Sequence, residues 1–204
     1  MHSAEVVGGE SVVSLDAIKY QKHKNAVSKL YSRYIGSYII HRHCDSRVAD
    51  MKLYLVQHGE ACAREVDPDR PLTDQGKADI DHLADFLRQA GIQVERVIHS
   101  GKLRAAQTAE RLAKVVVPGV ELESSGIISP NDNPKAFDWQ SDSWDKDTLV
   151  VGHLPFLAKL VSHLVIEDEN KLITDWQPGS AVCLGHNSNA QWQINWMIRP
   201  ELLR

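Results

Sequence analysis

Met51–Ala61, MKLYLVQHGEA, is an apolar run that stops abruptly at a Gln-His-Gly-Glu turn. Lys52–Gln57 is rich in strand formers and almost continuously apolar, the pattern of a strand buried on both faces rather than one with a solvent side. Gly59 ends it, leaving His58 at the carboxyl end of the strand. In an open α/β sheet that end is where ligands bind, so the pattern of the remaining chain decides what His58 can do.

Downstream, Thr73 is placed to cap a helix whose apolar face is Ile80, Leu83, Ala84 and Leu87, with Asp79, Asp81, Asp85 and Arg88 turned to water and Gly91 at its end. Val94–His99 reads as a second strand. Ser100 then reads as the cap of a helix carrying Leu103, Ala106, Gln107, Leu112 and Ala113, which stops before Pro118. A short third strand, Val120–Glu123, runs into a Ser/Asn/Asp/Pro-rich loop that ends near Pro134. Thr148–Gly152 is a fourth strand, and Pro155 suits the first position of a helix bearing Phe156, Leu157, Leu160, Val161 and Leu164. Ala181–Gly185 and Gln191–Ile198 close the chain as a hairpin around HNSNA. This alternation predicts an α/β fold: a three-layer α/β/α sandwich with a mostly parallel sheet and a C-terminal antiparallel hairpin at one edge.

Composition narrows the function classes. The 204 residues are 43% hydrophobic and 25% charged, enough for one good core. A net charge of −4 provides no broad basic field, which argues against nucleic acid and for a small polar ligand bound at a local positive site. Cys44, Cys62 and Cys183 lack the paired spacing of zinc or redox motifs, and their odd number argues against a disulfide framework, so a reducing cytoplasm is expected. No apolar run approaches the ~18 residues of a membrane span, and no membrane association is expected.

The chain divides near residue 50. Residues 1–50 carry four of the five tyrosines and seven Lys/Arg against five Asp/Glu, whereas every tryptophan lies between Trp139 and Trp196. They read as an N-terminal extension of unknown role. Three origins stay open: upstream sequence translated from an early start codon, a surface helix, or a weak targeting leader. The chemistry is expected in residues 51–204.

There, three strand ends each deliver a residue suited to a phosphoryl group. His58 is a nitrogen nucleophile when neutral, which an ordinary imidazole pKa of about 6.5 largely ensures. Gly59 lets backbone approach closely. Arg104 lies in the first turn of its helix, where a guanidinium and free N–H groups converge on an anion. His153 offers a hydrogen-bond donor or, protonated, a charge and a proton. Arg70, in DRPLTDQG, is a second guanidinium. Two histidines near Glu60 and Asp132 raise metal binding as a competitor, but no His-x-x-x-His spacing supports it, and no metal is expected.

The blocks LVQHGEA, DRPLTDQG, VIHSGKLRAAQTAE and LVVGHLPFL, in this order and at this spacing, resemble the histidine phosphatase superfamily, branch 1, and within it the small SixA-type phosphohistidine phosphatases. The resemblance runs strongly from Met51 to about Leu164, more weakly to the end, and excludes residues 1–50. It implies a phosphoglycerate mutase-like fold, with His58 as a transiently phosphorylated nucleophile, Arg104 and His153 on the phosphoryl oxygens, and Arg70 facing the pocket. It implies no metal or organic cofactor. The implied partner is a phosphorylated protein, with phosphohistidine as the bond cleaved, or a small phosphorylated molecule.

Two positions depart from that pattern. Gln57 stands where the family usually has arginine; an amide keeps two N–H donors at the phosphate but loses the charge and the fork, a contact worth roughly 1.5–3 kcal/mol. Arg70 or Arg64 are the available compensating cations. Larger members that cleave phosphate esters place a carboxylate after the third strand, and here Asp132 is the acid in that loop. The departures leave two further readings: a small-molecule phosphomonoesterase or mutase, and a non-catalytic phospho-ligand-binding module.

Overall fold

Residues 51–137, 146–187, 189 and 191–204 are described by a computed structural model. The reading of residues 1–50 lies outside the described residues. β1 is Lys52–Gln57, and every residue from Leu53 to Gln57 is buried, as its unbroken apolar run requires. It lies between β4 (Thr148–Gly152), to which it is parallel, and β5 (Ala181–His186), to which it is antiparallel. β2 (Arg96–His99) pairs parallel with the far side of β4, and β6 (Trp192–Ile198) pairs antiparallel with β5. With β3 (Glu123–Ser124) the order is β3-β2-β4-β1-β5-β6, the mostly parallel sheet with a hairpin edge that the sequence predicts.

Both faces are covered. α1 (Asp74–Gln89) and α2 (Leu103–Val116) lie on one side, where Ile80, Leu83, Leu87, Ala109 and Leu112 pack on Tyr54, Val56 and Val151. α3 (Phe156–Ile166) lies on the other, where Phe156, Leu157, Leu160 and Val161 meet Leu53, Leu55 and Val150. Alternate residues of β1 therefore feed opposite cores. Each fully buried leucine contributes about 1.5–3 kcal/mol, so β1, with neighbours on all sides, is the fixed element from which the site is measured.

Local chemistry sets the ends of α1. Thr73 accepts a hydrogen bond from the Gly76 N–H at 2.9 Å, and Asp74 adds a negative charge in the first turn. The predicted apolar face is buried as expected. Asp79 differs from expectation: it is only 4% exposed, because Arg204 donates from Nε at 3.0 Å and from Nη2 at 2.8 Å, and Gln75 Nε2 donates at 2.9 Å. Those donors hold its carboxyl below the usual range, the Arg204 bond foremost. Arg204→Ala would leave a buried carboxylate with one amide partner. We expect the Tm to fall by roughly 2–4 °C, read by circular dichroism, with Asp79→Asn in the same background recovering part of the loss.

Other elements also shift from their predicted places: β2 begins at Arg96 rather than Val94. The third strand spans Glu123–Ser124 rather than Val120–Glu123, because the chain turns at Gly119 (φ +83) and meets β2 only at the pairs Ile98–Glu123 and His99–Ser124. Pro155 caps α3 instead of occupying its first turn. Leu103 is 41% exposed; α2 buries Leu112 and Ala113, as predicted, together with Ala105, Thr108, Ala109 and Val116. Among the described residues no helix is long and apolar enough to cross a membrane.

Candidate active site

β2, β4 and β1 are neighbours running the same way, so their carboxyl ends open on one edge of the sheet. Gln57 on β1 pairs with Gly152 on β4, and the next residue of each strand is a histidine. The rings of His58 and His153 consequently lie with centroids 4.8 Å apart, tilted at 59°. The sequence predicted both; the register brings them together.

The partners of His58 decide where its proton sits. Nδ1 is 2.7 Å from the carbonyl oxygen of Gly59, which can only accept, so Nδ1 carries the hydrogen. Nε2 receives the Nε–H of Arg104 at 3.0 Å, and a guanidinium can only donate, so Nε2 presents its lone pair. Burial pushes the His58 pKa down to about 4, aided by the charges of Arg104 and Arg70 and opposed by the Gly59 bond. The lowered pKa favours the neutral ring, with the Nε2 lone pair turned to the guanidinium.

Gly59 must be glycine for packing reasons. A Cβ there would lie 2.9 Å from the Gly76 carbonyl oxygen and 2.9 Å from Ile80 Cγ1. Its N–H donates to Thr108 Oγ1 at 3.1 Å, and that hydroxyl donates to the Arg104 carbonyl at 2.8 Å.

His153 is 1% exposed. Its Nε2 lies 2.5 Å from Ser100 Oγ, while Nδ1 is buried with no partner among the described residues. Burial first, then the charges of His58, Arg104, Lys102 and Arg70, push its pKa down to about 3. Of the two readings offered by the sequence, a hydrogen-bond donor or a protonated charge, this downward shift favours the neutral donor. Ser100, read from sequence as a helix cap, faces His153 instead, and Lys102 takes the cap position of α2 without a side-chain bond. A serine before a helix is the usual sign of a cap; only the strand register shows that this one meets a histidine.

Arg70 sits in the loop between β1 and α1 with φ +53, a left-handed conformation uncommon for a side-chain-bearing residue. Its N–H bonds the Asp67 carbonyl at 3.0 Å and its Nε bonds the Cys62 carbonyl at 3.1 Å. Its charge bears on His58, His153 and Arg104 alike. Arg64, the other compensating cation considered, is exposed on the same loop. Gln57 is 8% exposed; its N–H bonds the Ser180 carbonyl at 3.0 Å, and its side-chain Oε1 is buried with no donor among the described residues.

Asp132 has a local task. Its Oδ2 accepts from the Ser129 N–H at 2.6 Å and its own N–H returns to the Ser129 carbonyl at 3.1 Å, closing a turn. The structure gathers His58, Gly59, Arg70, Arg104 and His153 into one set of contacts and charges; it ties Asp132 into the loop.

Burial of two neutral imidazoles has a consequence for acid stability. In the unfolded chain both would take protons as pH falls through about 6.5, while in the folded protein they resist until about 4 and about 3. The unfolded state then binds more protons, so the stability contribution is present above about pH 6.5 and falls as pH drops from there through about 4 and about 3. Denaturant midpoints measured across that window should decline, and His58→Ala should flatten the decline.

These features can be set against known proteins. Residues 53–124 match the model of the histidine phosphatase superfamily, branch 1. An uncharacterised protein of Picosynechococcus sp. (strain ATCC 27264 / PCC 7002 / PR-6) is 34% identical over 116 residues, covering 53% of this chain and 70% of the relative. The phosphohistidine phosphatase SixA of Escherichia coli (strain K12) is 27% identical over 159 residues, covering 74% of this chain and 94% of SixA. The structure of the protein histidine phosphatase SixA complexed with tungstate superposes with a TM-score of 0.65 at 22% identity, over 76% of this chain and all of that one. The fold is accordingly the phosphoglycerate mutase-like α/β fold. The chain belongs to the histidine phosphatase superfamily, branch 1. By class it is a phosphatase, similar to SixA.

Proposed function

We propose that the chain is a cofactor-independent phosphatase that works through a phosphorylated His58 and removes phosphate from phosphohistidine in proteins. The observation that carries this reading is the His58 imidazole: neutral, with its proton fixed on Nδ1 by Gly59 and its Nε2 lone pair facing Arg104. Phosphoryl oxygens are anionic and accept N–H donors better than a neutral ring nitrogen does. An entering phosphoryl group draws the Arg104 N–H onto itself and frees Nε2 to attack.

In the first step an Nε2–P bond forms on His58 as the N–P bond to the substrate imidazole breaks, and the leaving nitrogen takes a proton from solvent. In the second, water adds to phosphorus, the Nε2–P bond breaks, and the water proton passes to bulk. The products are inorganic phosphate and free histidine side chains. Arg104, Arg70 and the amide of Gln57 would neutralise or donate to the equatorial oxygens throughout, which is the main demand of phosphoryl transfer. His153, buried beside His58 and bonded through Nε2 to Ser100, would stay neutral and shape the pocket rather than act as an acid.

Asp132 favours a nitrogen leaving group over an oxygen one. An alkoxide needs a proton delivered as it departs, and Asp132 Oδ2 accepts the Ser129 N–H, which ties this carboxylate into its loop. Imidazole leaves with modest protonation. The test is to offer the protein a phosphohistidine-bearing protein, a phosphoserine peptide and a sugar phosphate. Release from the first well above the other two is the expected result. Preference for an ester would move the assignment to a small-molecule phosphomonoesterase, and tight vanadate binding without release from any would make the chain a binding module.

A further inference from the structure

We infer that Thr108 is a positioning residue that locks the nucleophile and its arginine into one unit. The inference rests on the reading of His58 as nucleophile. Thr108 is fully buried in the second turn of α2 and carries a single hydroxyl. That hydroxyl accepts the Gly59 N–H at 3.1 Å and donates to the Arg104 carbonyl at 2.8 Å.

Both bonds end on groups that set the geometry of the reacting nitrogen. The Gly59 carbonyl holds His58 Nδ1 at 2.7 Å and so fixes the ring's rotation and tautomer. The Arg104 backbone carries the guanidinium that meets Nε2 at 3.0 Å. Thr108 therefore joins, through one atom, the strand end behind the nucleophile and the helix turn behind the cation. Gly59 has little freedom on its remaining side, because Gly76 and Ile80 close over its Cα. The neighbouring Gln107 makes a parallel tie, its Oε1 accepting the Leu72 N–H at 2.8 Å, so this turn of α2 fastens both ends of the loop that also holds Arg70.

A threonine bonding its i−4 carbonyl inside a helix is an ordinary local habit. Here the same oxygen accepts from another element, at the residue after the nucleophile. Without the hydroxyl, Gly59 N–H would be a buried donor with no partner, and the peptide would drift from its place.

The test compares Thr108→Ser with Thr108→Ala, which share the loss of the γ-methyl and differ only in the hydroxyl, and adds the near-isosteric Thr108→Val. Single-turnover formation of phosphorylated His58, and steady-state kcat and KM on a phosphohistidine protein, are read for each. The serine variant should keep most of the parental rate. Alanine and valine should lose about tenfold to a hundredfold in kcat and in the phosphorylation rate, with KM changed less. Equal losses in serine and alanine would assign the effect to the methyl group and overturn the inference, as would an alanine variant with parental rates. If valine does not fold, the serine–alanine pair still decides. Turnover that survives His58→Ala would instead remove the underlying reading of the nucleophile.

Discussion

His58→Ala should lower kcat/KM on a phosphohistidine protein by at least about 10⁴-fold while the fold, judged by circular dichroism, is kept. The size follows from the role. In the proposed mechanism the His58 imidazole supplies the nitrogen that bonds to phosphorus, and the structure turns its Nε2 lone pair to Arg104 at 3.0 Å. His153 is a poor substitute, since its Nε2 is taken by Ser100 at 2.5 Å and its Nδ1 is buried. The fold should tolerate the change because His58 lies at the strand end, beyond the paired residues of β1. A variant within tenfold of the parent would mean that water attacks the substrate directly, with His58 only a ligand of Arg104.

Arg104→Ala should cost about 10²–10³-fold in kcat/KM, the loss typical of one donor aimed at developing anionic charge. Its weight is raised by Gln57: with an amide at that position, Arg104 and Arg70 are the guanidiniums whose charges converge on the two histidines. Arg104→Lys should recover only part, because a point charge lacks the planar donor array. The same change has a second, independent readout. Arg104 lowers the His58 pKa by repelling a proton, so its removal should move that pKa up from about 4, visible by NMR titration of the ring. A rate loss without that upward movement would place Arg104 away from the nucleophile in solution.

How much of this was legible beforehand depended on the distance over which each signal acts. β1 and its histidine are local: an unbroken apolar run followed by His-Gly states both the strand and its end. The predicted helix caps divided on the same principle. Thr73 bonds Gly76 three residues on, and was readable. Ser100 looks identical in sequence, yet its partner is His153 on another strand. Asp79 shares its helix with Asp74, Asp81 and Asp85, which are exposed, and nothing nearby tells that Arg204 will bury it. Thr108 was the least visible. It lies mid-helix among alanines, where a threonine is unremarked, and its importance exists only because α2 is laid across the turn after β1. The role of Gln57 was recognisable as a departure, whereas its orphaned Oε1 needed the packed strand end to be seen.

The most direct test of the central claim is a rapid-quench experiment with a protein labelled on its phosphohistidine. The chain should carry acid-labile label during turnover, and peptide mapping should place it on His58. Label on another residue, or steady phosphate release with no protein-bound intermediate, would contradict the account.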